Sequence, residues 1–176
     1  RRIKRQWSVL YPDRPNLLFI SIDTLRSDHL GCYGYERPTS PTIDGIAARG
    51  QLFHDMVSVC SWTLPSHASM LTGRYPASHG LQDDGVTLSA EIPVLAEMLR
   101  RRDYYSVGVV SHVYVSSAFG LDRGFHVFDD SLTHGGERNP VAAEVVDRFL
   151  EHAQDIDGRR FFAFLHFFDP HWPYSP

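Results

Sequence analysis

The run Leu17-Leu18-Phe19-Ile20-Ser21-Ile22, stopping at Asp23, constrains the fold more than any other segment. A short, almost unbroken apolar run marks a strand buried on both faces, the kind found in a parallel sheet covered by helices. Tyr105 to Val110 and Phe161 to Phe168 have the same character. Helical signals lie between these runs. Ser40 as N-cap, Pro41 at the first helical position and Gly50 as the stop predict one helix. Leu64 to Leu71 follows the N-cap type Thr63, tolerates Pro65 in its first turn and meets Gly73 at its end. Ile92 to Arg102 puts Ile92, Leu95, Ala96 and Leu99 on one face and ends in three arginines, where a helix favours cations. Val141 to Ala153 repeats the device with Val141, Val145, Phe149 and Ala153. A further strand is expected near Leu52 to Val59, and residues 120–139, rich in Gly and Asp, as a long surface excursion. The alternation predicts an α/β fold, a mostly parallel sheet sandwiched by helices with right-handed crossovers.

A chain of 176 residues is one domain's worth, and 43% hydrophobic with 22% charged residues excludes disordered and collagen-like classes. No apolar stretch approaches the roughly 18–20 residues that span a bilayer. The formal charge of −4 is unevenly spread. Arg1, Arg2, Lys4, Arg5 and Arg14 against Asp13 give the arm 1–15 a net +4, leaving −8 on residues 16–176. An acidic body argues against nucleic acid as a partner. The arm is either a solvated flank or a contact for anionic lipid, which would bring the protein near a membrane. Cys32 and Cys60 have no CxxC spacing, so neither a zinc ribbon nor a disulfide framework is signalled, and the compartment stays open. The absence of GxGxxG and of a P-loop argues against a dinucleotide or ATP domain. The chain begins without Met and stops at Pro176 directly after a strand and its loop, so a piece of a longer protein is expected.

In open α/β sheets, ligands bind beyond the carboxyl ends of the strands. Reading past each predicted strand gives Asp23, then Thr63, then Ser111 and His112, then Asp169 and His171. Thr63 at a helix start would sit in positive potential that favours an alkoxide. Asp23 is an oxygen ligand for a divalent cation that could also bind the Thr63 oxygen, lower its pKa and draw charge from a sulfuryl or phosphoryl group. The same residue types also serve as ordinary caps and turn formers.

The order of residues around Thr63 adds more. Thr63-Leu64-Pro65-Ser66-His67-Ala68-Ser69-Met70-Leu71-Thr72-Gly73-Arg74 resembles the signature of the sulfatase family, Cys or Ser, any residue, Pro, Ser, Arg, ending Leu-Thr-Gly-Arg. Pro15-Asn16 before the first strand, Asp23, Asp28 and Gly31-Cys32-Tyr33-Gly34 follow the family's order, as do Gly120-Leu121-Asp122-Arg123-Gly124-Phe125 and His166-Phe167-Phe168-Asp169-Pro170-His171-Trp172-Pro173-Tyr174. The chain is identified as similar to the N-terminal part of a sulfatase-like member of the alkaline phosphatase superfamily, over residues 16–176.

The resemblance implies an alkaline-phosphatase-like, truncated α/β core and a divalent metal ion, whether calcium, manganese, magnesium or zinc. It implies hydrolysis of a small-molecule, glycan or lipid sulfate or phosphate ester. Asp23 matches the first metal-binding Asp, Thr63 the nucleophile and a metal contact, and His171 the His that touches the anionic group of the substrate. His67 takes the place of the family's Arg as an anion donor. His112 matches loosely a substrate-binding Lys, its alternative being a loop-capping or core histidine. Arg74 is a supporting substrate contact or a plain helix-end cation, and Tyr33, Trp172 and Tyr174 are either cleft or packing aromatics. Cys60 and Ser61 lack a Pro two positions later and are loop residues. The remaining metal ligands of the family, an Asp followed by Asn or His, would lie beyond residue 176.

Three positions depart from the family pattern: Thr24 where a second metal-binding Asp is usual, Thr63 where a Cys or Ser becomes formylglycine, and His67 for Arg. A Thr nucleophile resembles the phosphodiesterase and phospho-group transferase branches. The alternative is a catalytically silent domain of the same fold that binds an anionic ligand or a partner.

Overall fold

The computed structural model describes residues 14–134 and 139–172, so the arm up to residue 13, and Tyr174, lie outside the described residues. Four strands, β1 (Leu17–Ile22), β2 (Tyr105–Val109), β3 (Val127–Asp129) and β4 (Phe161–Phe167), form one sheet in the order β1-β4-β2-β3, with every neighbouring pair parallel. The helices are α1 (Pro41–Ala47), α2 (Thr63–Thr72), α3 (Pro76–His79), α4 (Leu95–Arg100) and α5 (Ala142–Ala153), with short 3-10 turns between them.

Alternation along the strands explains the two-sided core. Phe162 and Phe164 of β4 point to one face, where Leu64, Ala68 and Leu71 of α2, Val94, Leu99 and Leu121 join them. Leu165 of β4 and Val107 and Val109 of β2 point to the other, against Val145 and Phe149 of α5. The sheet is therefore sandwiched by helices. Among the described residues no helix is long and apolar enough to cross a membrane, and both cysteines are free thiols.

Five local expectations are corrected. The run 17–22 is not buried on both faces: in the edge strand β1, Leu18 and Ile20 are exposed. No strand forms over residues 52–59: Phe53, Met56 and Val57 are exposed, and β propensity without a neighbouring strand or a buried face does not make a strand. The excursion 120–139 contains β3, whose three residues pair with Val107, Gly108 and Val109. The helix after Ser40 ends at Ala47 rather than Gly50, and the Ser40 hydroxyl gives no helix cap. It donates to Asp44 Oδ1 at 3.0 Å and accepts from Gly31 N at 2.9 Å, closing the Gly31 to Gly34 turn on α1. Trp62, not Thr63, occupies the N-cap of α2, so Thr63 is the first helical residue.

The Gly120 to Phe125 segment is a clamp. Arg123 donates to Ile92 O at 2.6 Å and Gly120 O at 3.1 Å. Gly124, at φ 83°, lies so close to α4 that a Cβ would stand 2.3 Å from Glu97 N. Phe125 then enters the core beside Phe162, ring centroids 5.6 Å apart.

Candidate active site

Asp23 leaves the end of β1 still on the ladder, its N–H donating to Phe167 O at 2.9 Å. β1 and β4 lie side by side, so Ser21 is in register with His166. On the next layer, α2 begins at Thr63 and carries His67 one turn on, both toward the same strand ends. Thr63 Oγ1 donates to Asp23 Oδ2 at 3.0 Å, joining residues 40 positions apart.

His67 is 4% exposed and fixed at both ring nitrogens. Nδ1 stands 2.8 Å from Thr63 O, which can only accept, so the proton is on Nδ1. The Nε2 lone pair takes the Ser21 hydroxyl at 2.9 Å. Burial, then the charge of His166, push the His67 pKa down to about 4, so it is neutral at pH 7. Its Nδ1–H is committed to the Thr63 carbonyl rather than to an outside anion. A neutral imidazole with Nδ1–H on a carbonyl is instead the usual arrangement of a metal ligand.

His166 is fully buried. Ser111 Oγ donates to His166 O at 2.8 Å, so at Nδ1, 3.3 Å away, it accepts. Nε2 then faces Asp23 Oδ2 at 3.4 Å. Burial alone would raise the Asp23 pKa, but the His166 hydrogen bond and charge, the Thr63 hydroxyl and the His67 charge outweigh it and hold the carboxyl below its ordinary value. Ligand atoms of Asp23, His67 and His166 all lie within 4.8 Å of one another, and all three residues are buried. Two imidazoles and a carboxylate, with a hydroxyl alongside, fit a divalent cation.

His112 and His171 line the outer rim. The His112 ring stacks on Phe168 at 4.1 Å, and Phe168 stacks on His171 at 4.2 Å. His112 Nδ1 accepts from Tyr114 N at 3.4 Å, and burial, then His166, lower its pKa to about 4. His171 Nδ1 donates to Trp172 O at 2.6 Å. Asp169, by contrast, accepts from Ala142 N at 2.7 Å and ties the strand end to α5.

The structure thus brings Asp23, Thr63 and His67 together, with His112 and His171 beside them. Arg74 is elsewhere: it follows Gly73 at the far end of α2, about 15 Å along the axis from Thr63. Tyr33 donates to Phe53 O at 2.9 Å away from this rim, and Trp172 is exposed. Sequence reasoning passed over His166 as a site residue. Its signal was an ionisable side chain interrupting an otherwise apolar strand near its carboxyl end.

The fold is a parallel sheet sandwiched by helices, with a carboxylate, a helix-borne hydroxyl and imidazoles gathered at its carboxyl edge. The comparisons name the class. The family model described as Sulfatase matches residues 15–176, and the chain belongs to the sulfatase family. It is 36% identical over 96 residues to human arylsulfatase A, covering 51% of this chain and 19% of that protein. It is 28% identical over 142 residues to an N-acetylgalactosamine-6-O-sulfatase of Bacteroides thetaiotaomicron, covering 77% and 28%. A solved structure in complex with its substrate D-glucosamine-2-N,6-O-disulfate superposes with a TM-score of 0.77 at 20% identity, covering 93% of this chain and 36% of that one. A phosphonate monoester hydrolase of Agrobacterium radiobacter superposes at 0.72 with 21% identity, covering 93% and 42%. The chain spans about a fifth to just over a quarter of the length of the two curated relatives.

Proposed function

We propose that the complete protein is a metal-dependent hydrolase of sulfate or phosphate esters with Thr63 as nucleophile. The observation that carries the proposal is the Thr63 hydroxyl held on Asp23 Oδ2 at 3.0 Å, beside two buried histidines. Asp23, His67, His166 and the Thr63 oxygen would hold the ion. When bound, it supplies a lowered pKa for the Thr63 hydroxyl and electron withdrawal at the reacting sulfur or phosphorus. A set with two nitrogens suits zinc better than calcium, magnesium or manganese, which favour oxygen ligands. The absence of a second carboxylate at Thr24 and the gain of an imidazole at His67 act in the same direction.

The residues of the chain divide the remaining work. Thr63 Oγ1 bonds to the sulfur or phosphorus as the bond from that atom to the ester oxygen breaks; the hydroxyl proton passes to solvent on the Asp23 side while the departing ester oxygen takes a proton from solvent and leaves as the alcohol. Water then releases the oxyanion from Thr63. His67 fixes the Thr63 backbone through its Nδ1–H bond to the Thr63 carbonyl. His171 and His112, on the rim, meet the anionic group. The names of the glycan sulfatase relatives support a sulfated sugar as the substrate class, and the phosphonate hydrolase neighbour keeps phosphoryl groups in view.

The test is turnover of an aryl sulfate and an aryl phosphodiester by the complete protein with added zinc, manganese, calcium or magnesium. Thr63→Ala is expected to lower kcat/KM by about 10³-fold or more, with Thr63→Ser retaining part of the activity. Equal inertness of wild type and Thr63→Ala gives the lead to a silent sulfatase-fold domain. In metal-binding titrations, His166→Ala is expected to weaken zinc binding by at least the ~100-fold that supporting residues around metal sites are worth.

A further inference from the structure

The amino ends of the four strands form a face that the proposed reaction does not use. Arg14 precedes β1, Tyr104 and Tyr105 open β2, His126 precedes β3, and Arg159 and Arg160 precede β4, while Arg100 and Arg102 come from the end of α4. These residues, with Asp103 and Gly158, line a cavity of about 360 Å³. Among the described residues that line it are five guanidiniums and one carboxylate, in a chain whose formal charge is −4.

The local contacts set the cations in place. Arg14 Nη1 donates to Arg102 O at 3.4 Å, and the Tyr104 hydroxyl donates to Pro15 O at 3.0 Å. The Arg159 guanidinium lies 4.5 Å over the Tyr105 ring, and Tyr105 packs on His126 at 4.7 Å. A guanidinium lying on a ring keeps its N–H edge for acceptors in its own plane, the fork that matches sulfate and phosphate oxygens. Like charges crowded on a concave, partly apolar wall repel one another and focus field outward, and both effects are relieved by a bound anion.

We propose that this cleft is a second oxyanion site, which takes a sulfate or phosphate group of an anionic saccharide. The seven residues of β4 put it about 20 Å from the Thr63 end of the sheet, so the group held here is not the one that reacts. The cleft therefore anchors a ligand bearing several charges, or a charged product. Its volume is at the small end of ligand pockets, roughly 300–1,000 Å³, and its concavity suits a compact charged residue rather than a flat lipid surface. The exposed His126 adds an aromatic ring to the lining. The choice of a saccharide rests on the ester hydrolase reading above; the anion site does not.

The test is calorimetric titration of the full-length protein with a chondroitin 6-sulfate tetrasaccharide, alongside Arg102→Gln/Arg159→Gln and Thr63→Ala. The double variant is expected to bind about tenfold or more weakly, with its thermal midpoint and its turnover of a small aryl ester unchanged. Thr63→Ala retains binding dependent on the two arginines. The single variant Arg159→Lys, which keeps the charge and removes the fork, is expected to be intermediate, and it serves if the double variant unfolds. Equal affinity of wild type and both arginine variants overturns the proposal. So does binding to phosphatidylserine vesicles with the same arginine dependence but none to the tetrasaccharide. Arginine-dependent saccharide binding by a protein inert toward both aryl esters sustains the anion site and sinks only the hydrolase reading.

Discussion

Thr24 follows Asp23 with φ at 54°, a left-handed conformation that costs a β-branched residue about 1–3 kcal/mol. Thr24→Asn is expected to recover about 1 kcal/mol, read as a higher denaturant midpoint at unchanged slope. His79 presents a different case. It is 3% exposed, accepts from Leu81 N at Nδ1 (3.0 Å) and therefore donates from Nε2 to Ser69 Oγ (3.0 Å), which donates on to Pro65 O in the first turn of α2. Burial lowers its pKa below 6.5, so between that folded value and 6.5 the unfolded chain binds the proton and the native one does not. Stability is fully present above pH 6.5 and falls as pH drops, by at most ~1.4 kcal/mol per unit from this group. His79→Gln, which keeps a donor without a titrating ring, is expected to flatten the slope of the denaturation midpoint as pH falls below 6.5. Asp23 and Thr63 were legible as site candidates because strand ends and helix starts are where side chains escape the core. His166 was not, because its period along β4 is that of a core residue and only its register with Ser21 reveals its neighbours.

Among the elements, α4 and the segment from Gly120 to Phe125 behave as one unit. A methyl group at Gly124 would meet Glu97 N, and the residue's φ of 83° penalises any L side chain as well. Gly124→Ala is expected to cost at least ~2 kcal/mol in chemical denaturation, whereas Gly85→Ala, near only Asp83 Oδ1 at 3.5 Å, costs far less. The strands β1, β2 and β4 and the helices around α2 and α5 could be read from periodicity because each hides an apolar face. The three residues of β3 could not: Val127-Phe128-Asp129 is too short for a pattern and exists by pairing with β2. Residues 52–59 are the converse, a β-prone composition with no strand to lie against. Local sequence records the preference of a segment, and pairing with a distant one decides the outcome.

At the scale of the whole molecule, Phe164 stands in the central strand with no exposure and meets Phe19 edge-on at 5.4 Å. Phe164→Ala is expected to cost about 3–5 kcal/mol of unfolding free energy and to loosen β1 against β4. The sheet order β1-β4-β2-β3 has a further consequence, in time rather than in space. The strand that joins the first to the second comes after both of them in the chain: Asn16 Oδ1 accepts from Phe161 N across 145 positions. Until β4 leaves the ribosome, β1 and β2 have no common neighbour, and neither His166 nor the ladder bond of Asp23 exists. Closure of this sheet must wait for that long-range pairing, with apolar strand edges open meanwhile, so the candidate site cannot assemble before the chain through β4 has been made.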